Sequence, residues 1–305
     1  MRTAFAEQLV VEARRNPRIF LVVGDLGYSV IEPFQAEFPE RFLNAGVAEQ
    51  NMTGLAAGLA SEGFHVFTYS IGNFPTLRCL EQIRNDVCYH NFPVTVVSVG
   101  AGMAYGNMGY SHHCVQDIAC LRGMPNLTLL SPADPSEARV CVEWLSNNPG
   151  PSYLRLGKAG EPSIHTLPVT LQGPVKVVDR GGGVAIVATG SVLAEAVAAS
   201  MLLAEERIAC DVYSMIRLAP VSKADFTIFK GYQSLVALEE HVGPGGLGEL
   251  LRSGVGNRIY VASSCVDAGI ASSIGTQAGL RQLAGLDGTS VADAIRRTIA
   301  NPCHE

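Results

Sequence analysis

Short apolar runs rich in β-branched residues alternate along this chain with segments of helical spacing, and almost every run is stopped by glycine or a polar loop. Residues 19–23 (IFLVV) end at Gly24-Asp25, residues 94–99 (VTVVSV) run into a glycine-rich loop at 100–113, and residues 184–188 (VAIVA) lead to the Gly190-Ser191 turn. Continuous rather than alternating apolar runs are what strands look like when helices cover both faces of a parallel sheet. The order of runs and helical segments therefore predicts an α/β protein with two doubly wound domains, whose ligands gather at the carboxyl ends of the strands. Residues 1–158 form the first domain in this reading. The pattern then fades into Gly, Pro, Ser and Thr, so residues 159–178 are expected to be a linker and 179–305 a smaller second domain.

Composition narrows the function classes. Of the 305 residues, 48% are hydrophobic and only 16% charged, which suits well-buried cores and argues against disorder. The net charge of -6 is spread along the chain, so no basic stripe invites nucleic acid or an anionic membrane surface. No apolar run reaches the ~18 residues needed to span a bilayer. The eight cysteines show neither C-x-x-C pairs nor zinc-like spacing and, with no signal peptide at the start, read as reduced core thiols of a cytoplasmic protein.

One stretch is chemically odd. Residues 42–60 (FLNAGVAEQNMTGLAAGLA) set a carboxylate, Glu49, between a short apolar run, expected as a strand over 42–47, and a small-residue helix. Glu49 could be an ordinary first-turn acid of that helix. It could instead be a buried carboxyl that manages a proton. The glycine loops GAGMAYG and GPGGLG are weak signals, and no G-x-G-x-x-G opens a helix after the first strand, which argues against a dinucleotide-binding module.

Several segments, in order, resemble the pyrimidine-binding half of transketolase and of 1-deoxyxylulose-5-phosphate synthase: GDLG at 24–27, FPERFLNAGVAEQNM at 38–52, YSIGNFPTLRCLEQIRND at 69–86, GYSHH at 109–113, PNLTLLSPAD at 125–134 and GPSYLRLGK at 150–158. VATGS at 187–191 and LEEHVGPGGLGE at 238–249 resemble the family's C-terminal domain. The resemblance implies thiamine diphosphate as cofactor, with Glu49 at the glutamate that contacts the pyrimidine ring nitrogen. It implies that Asp25 and Arg78 lie near the cofactor, that Phe74 stacks on its aminopyrimidine, and that His112 meets the substrate oxygen. Met108 stands where relatives carry an aspartate, Gly100 where many transketolases carry a histidine, and Arg155 resembles an arginine on the substrate side. Met108, His112 and Arg155 are thus the candidate substrate contacts.

The Mg2+-binding GDG segment of the family is missing here, so no metal ligand is expected on this chain. The resemblance then implies the C-terminal component of a split transketolase, active only with an N-terminal component that carries Mg2+ and the diphosphate. A heterotetramer with two copies of each chain is expected, built on a homodimer core near residues 48–60. The expected activity is transfer of a two-carbon ketol unit from a ketose to an aldehyde-like acceptor, a small sugar or keto compound. The alternatives are an E1 β-like subunit of a 2-oxoacid dehydrogenase and a non-catalytic structural partner.

Overall fold

The computed structural model describes residues 1–165 and 168–300. Cys303 lies outside them. Six strands of the N-terminal half, β1 (Ile19–Val23), β2 (Phe42–Asn44), β3 (His65–Ile71), β4 (Val94–Val99), β5 (Thr128–Leu130) and β6 (Ser152–Leu156), run parallel in the order β5-β6-β4-β3-β1-β2. In the C-terminal half, β7 (Val175–Val178), β8 (Val184–Thr189), β9 (Cys210–Ser214), β11 (Ser234–Val242) and β12 (Tyr260–Val266) form a second sheet in the order β12-β11-β8-β9-β7. The remaining strand, β10 (Arg217–Ala219), returns to the first sheet and pairs antiparallel with β5.

Three features depart from the sequence reading. Residues 159–178 are not linker throughout, because Val175–Val178 is an edge strand antiparallel to β9. The two halves also share a sheet through β10, a strand that the apolar pattern does not announce. Of the strand expected over residues 42–47, only Phe42–Asn44 pairs, at the sheet edge.

Because successive strand residues face opposite ways, each strand feeds two cores. On one face of the first sheet, Leu21, Val23, Phe67 and Val97 pack under α1 (Arg2–Arg15), α2 (Glu32–Glu37) and, further along the chain, α6 (Pro135–Asn147). The other face carries Val22, Val66, Val94 and Val96 against α3 (Glu49–Ser61), an irregular helix in which α4 (Leu80–Gln82) continues as a π turn at Ile83–Cys88, and α5 (Asp117–Leu121). This second core does not stop at the domain boundary. It runs on through Val187, Tyr213, Leu235 and Ala237 to α8 (Leu247–Val255). The far face of the second sheet is closed by α7 (Leu193–Glu205), α9 (Gln277–Leu283) and α10 (Gly288–Ala300), with Ile186, Val212 and Val236 beneath them.

Local signals explain several boundaries. Asp134 caps α6, accepting the Glu137 backbone N–H at 2.8 Å, while Glu137 accepts from Ala133 N at 2.6 Å and Pro135 occupies the first turn. A cap of this kind is worth about 1 kcal/mol. The second Asp134 oxygen takes Ile164 N at 2.8 Å, so the same residue ties the interdomain segment down.

Between the halves sits a buried ion pair. Arg155, at the end of β6, places Nε 2.7 Å from Oδ2 of Asp117 at the start of α5, with both side chains closed to solvent. Tyr153 donates to the same oxygen at 2.7 Å. Arg155 also donates to the carbonyls of Cys114 at 2.7 Å and of Glu240 on β11 at 3.2 Å. Burial by itself pushes the Asp117 carboxyl upward, but the Arg155 charge overrides it and the net shift is below the ordinary value. A carboxyl lowered in the folded state stabilises the fold above its unfolded pKa of about 4, and that contribution disappears as pH falls through the folded pKa. Asp117→Asn, which strands the arginine charge, is expected to cost about 3–5 kcal/mol at neutral pH. Urea unfolding would measure it, and a loss too small to resolve would remove this pair from its structural role.

Candidate active site

Glu49 opens α3 and is only 1% exposed. It sits there because β1 ends at Val23, just before Gly24, and β3 ends at Ile71, just past Ser70, and α3 packs against both strands. A side chain on Gly24 would lie 3.3 Å from Ser70 Oγ and 3.6 Å from Glu49 Cγ, so glycine there keeps room for the carboxylate. Both carboxylate oxygens are engaged: Ser70 Oγ donates to Oε1 at 3.1 Å, and Arg78 Nη1 donates to Oε2 at 2.6 Å.

From Arg78 the cluster extends outward. Its guanidinium lies over the Phe74 ring, 4.7 Å from the centroid. The His112 ring meets Phe74 edge-on at 5.2 Å. Thus four residues singled out in the sequence, Glu49, Phe74, Arg78 and His112, come together although 63 positions separate the outermost two. His112 is partly exposed, and its Nδ1 lies 3.0 Å from Ser111 Oγ.

Asp25 stands on the same rim, in the left-handed region at φ 57° that aspartate tolerates better than most residues. Its carboxylate accepts from Asn44 Nδ2 at 2.9 Å and from Tyr28 Oη at 3.1 Å, clamping the ends of β1 and β2. Met108, 60% exposed, ends a tight turn beside the His112 segment.

Arg155 is the correction. The sequence reading placed it at the substrate, whereas its guanidinium is 2% exposed and bound to Asp117 and two carbonyls. An arginine locked this way has no free face for a ligand. Gly100 is also more than a missing histidine: its φ is 97°, and a Cβ there would come within 2.3 Å of the Tyr105 ring. Tyr105 fills the space.

The sequence reading missed the residues that hold the His112 loop. Glu240 accepts Met103 N at 2.7 Å and binds Arg281 at 2.7 Å, while His113 Nδ1 lies 2.7 Å from the Ala271 carbonyl. Gly275 N donates to Gly106 O at 3.2 Å. The second domain therefore buttresses the loop that carries His112. Ser70 was missed as well, though a hydroxyl at the carboxyl end of a buried strand was its available signal.

A cavity of about 840 Å³ lies away from this cluster, at the ends of β11 and β12 between Cys265 and Arg297. Among the described residues, no group of three or more His, Cys, Asp or Glu is arranged to hold a metal ion. No described helix is long and apolar enough to cross a membrane.

Residues 1–160 match the transketolase pyrimidine binding domain, and residues 173–291 match the transketolase C-terminal domain. The chain is 34% identical over 293 residues to one of the subunits of apulose-4-phosphate transketolase from Actinobacillus succinogenes, covering 94% of each. It is 30% identical over 252 residues to 1-deoxy-D-xylulose-5-phosphate synthase of Clostridium perfringens, covering 81% of this chain but 40% of that protein. A solved structure described as a split gene transketolase, inactive beta4 tetramer, superposes with a TM-score of 0.86 at 30% identity, over 99% of this chain and 98% of that one. The chain belongs to the transketolase family, with the pyrimidine-binding and C-terminal domains of that family on one polypeptide, as in split-gene members.

Proposed function

We propose that this chain is the C-terminal component of a split transketolase, moving a two-carbon ketol unit from a ketose donor to an aldehyde-like acceptor. The observation that carries the proposal is Glu49, a carboxylate with 1% exposure whose neighbours are a fixed hydroxyl and an aromatic-flanked arginine. A stable core gains nothing from such a group, whereas a cofactor that must be protonated on a ring nitrogen requires one.

The residues fit the pyrimidine end of thiamine diphosphate. Glu49 would hold the proton at the ring nitrogen, Ser70 would fix the carboxylate's orientation, and Phe74 would offer its face to the ring. When bound, the cofactor supplies the carbon nucleophile that accepts and releases the ketol unit. His112, partly exposed at the mouth, would exchange a proton with a substrate oxygen. Met108 would border the substrate, and Asp25 the cofactor, each on the open rim.

The diphosphate and Mg2+ belong, in this reading, to an N-terminal component with a GDG segment. The solved relative's description as an inactive tetramer of one chain type supports that dependence. The exposed side of α3 suits assembly. Gly54 and Gly58 leave open space there, and Leu43, Val47 and Leu55 are exposed nearby. Small residues of this kind permit close approach of a second copy, giving two copies of each chain in the active enzyme. Carbohydrate metabolism in the cytoplasm is the corresponding setting.

Glu49→Gln is expected to lower ketol transfer by at least about 100-fold, the usual scale of a lost proton-transfer group, with an unchanged circular dichroism spectrum. Activity equal to the wild type would end the catalytic reading. His112→Ala should reduce kcat by about 10- to 100-fold while thiamine diphosphate affinity stays the same. A change confined to cofactor affinity would move His112 out of the substrate site. The isolated chain should be inactive and gain activity when mixed with the N-terminal component, saturating at one to one. Activity of this chain alone would contradict the split arrangement.

A further inference from the structure

We infer that Arg78 is a displaceable occupant of the cofactor-ring position, present in the empty chain and expelled when the ring enters. The inference rests on the reading of Glu49 and Phe74 given above. A protonated aminopyrimidine would need two things from this chain: a carboxylate oxygen for its N–H and an aromatic face for its ring. The Arg78 guanidinium already takes both, donating to Glu49 Oε2 at 2.6 Å and lying 4.7 Å from the Phe74 centroid. It is itself a planar, delocalised cation with N–H donors at its edge, so it matches the ring in charge, flatness and hydrogen bonding.

Burial decides which group gives way. A ring that stacks on Phe74 and bonds Glu49 Oε2 needs the space that the Arg78 guanidinium fills, while Ser70 Oγ holds Oε1 from the other side. Ser70 is fully buried and has nowhere to go. The Arg78 side chain is 46% exposed and can turn into solvent. Its backbone would not follow, because Gln50 Nε2 holds the Arg78 carbonyl at 3.1 Å and Arg78 N donates to Asn73 O at 3.3 Å. The moving part is therefore a side chain on a fixed hinge. Rotamer changes of this type are fast, so the occupant limits affinity through its population rather than by a slow barrier.

Apparent affinity falls by the fraction of molecules in which the ring position is free. Removing the occupant should raise it. For the chain mixed with its N-terminal component and Mg2+, Arg78→Met is expected to bind thiamine diphosphate about tenfold faster, with no faster dissociation, by stopped-flow fluorescence. Arg78→Lys, which keeps charge but loses the planar contact, should show the same direction with a smaller change. Wild-type chain labelled with 15N on arginine supplies a readout that needs no variant: the Arg78 Nε–H resonance should shift to a solvent-exposed position on adding the cofactor. Slower association or faster dissociation in Arg78→Met, or an Arg78 resonance unmoved by the cofactor, would mean that Arg78 is a permanent part of the site and would overturn the inference alone. Absence of saturable thiamine diphosphate binding in the wild-type complex would overturn the functional reading and this inference together.

Discussion

Arg155 and Asp117 carry opposite charges into a region closed to solvent, and neither can be left there alone. An unpaired buried charge costs several kcal/mol, so β6, α5 and the carbonyls of Cys114 and Glu240 have to arrive together or not at all. β6, α5 and Cys114 belong to the first domain and Glu240 to the second. The pair thus couples the second sheet to the first at the point where the glycine-rich loop leaves β4, and β10 adds backbone pairing to the same seam. With Glu240 gripping Met103 and Ala271 gripping His113, the loop that bears His112 has its position set by the C-terminal half.

That arrangement bears on what each domain is for. The C-terminal half contributes no residue to the Glu49 cluster, yet it fixes the far wall of the cluster through the loop. Continuity of one apolar core across both halves makes the coupling stiff, since close-packed interiors do not deform gradually. If His112 moves a proton as proposed, its loop would benefit from such support, because small displacements of catalytic groups are costly.

The sequence was most legible where burial leaves least choice. Residues 19–23 and 94–99 are strands with the very bounds read from their apolar runs, because strands covered on both faces tolerate little else. Short edge pieces were not legible. β7 is four residues in a stretch rich in Gly and Pro, β10 is three residues before Pro220, and pairing for both comes from strands distant in the chain. Motif context singled out Glu49, Phe74, Arg78 and His112, and the structure brings these four side chains together. Arg155 was misread because an arginine ending a strand looks alike whether it faces a ligand or an aspartate 38 positions away. Nor does any local pattern announce that Tyr105 fills the space beside Gly100.

In the proposed split enzyme the site would spend part of its life without its other half, and the physics of that interval would constrain this chain. On that proposal Glu49 would have to stay buried to act in the assembled enzyme, yet a buried carboxylate without a counter-charge destabilises whichever chain carries it. Replacing the carboxylate would remove the cost and the chemistry together. A cation from the same chain removes the cost alone, provided that it can leave. Arg78 meets that condition, with its backbone fixed, its side chain half in solvent and its partner fully enclosed. Its flat guanidinium also covers the Phe74 face, which would otherwise be an apolar surface open to water in the unassembled chain. On this proposal the same contacts that make the half-site tolerable when empty would be the ones a ring has to replace to fill it.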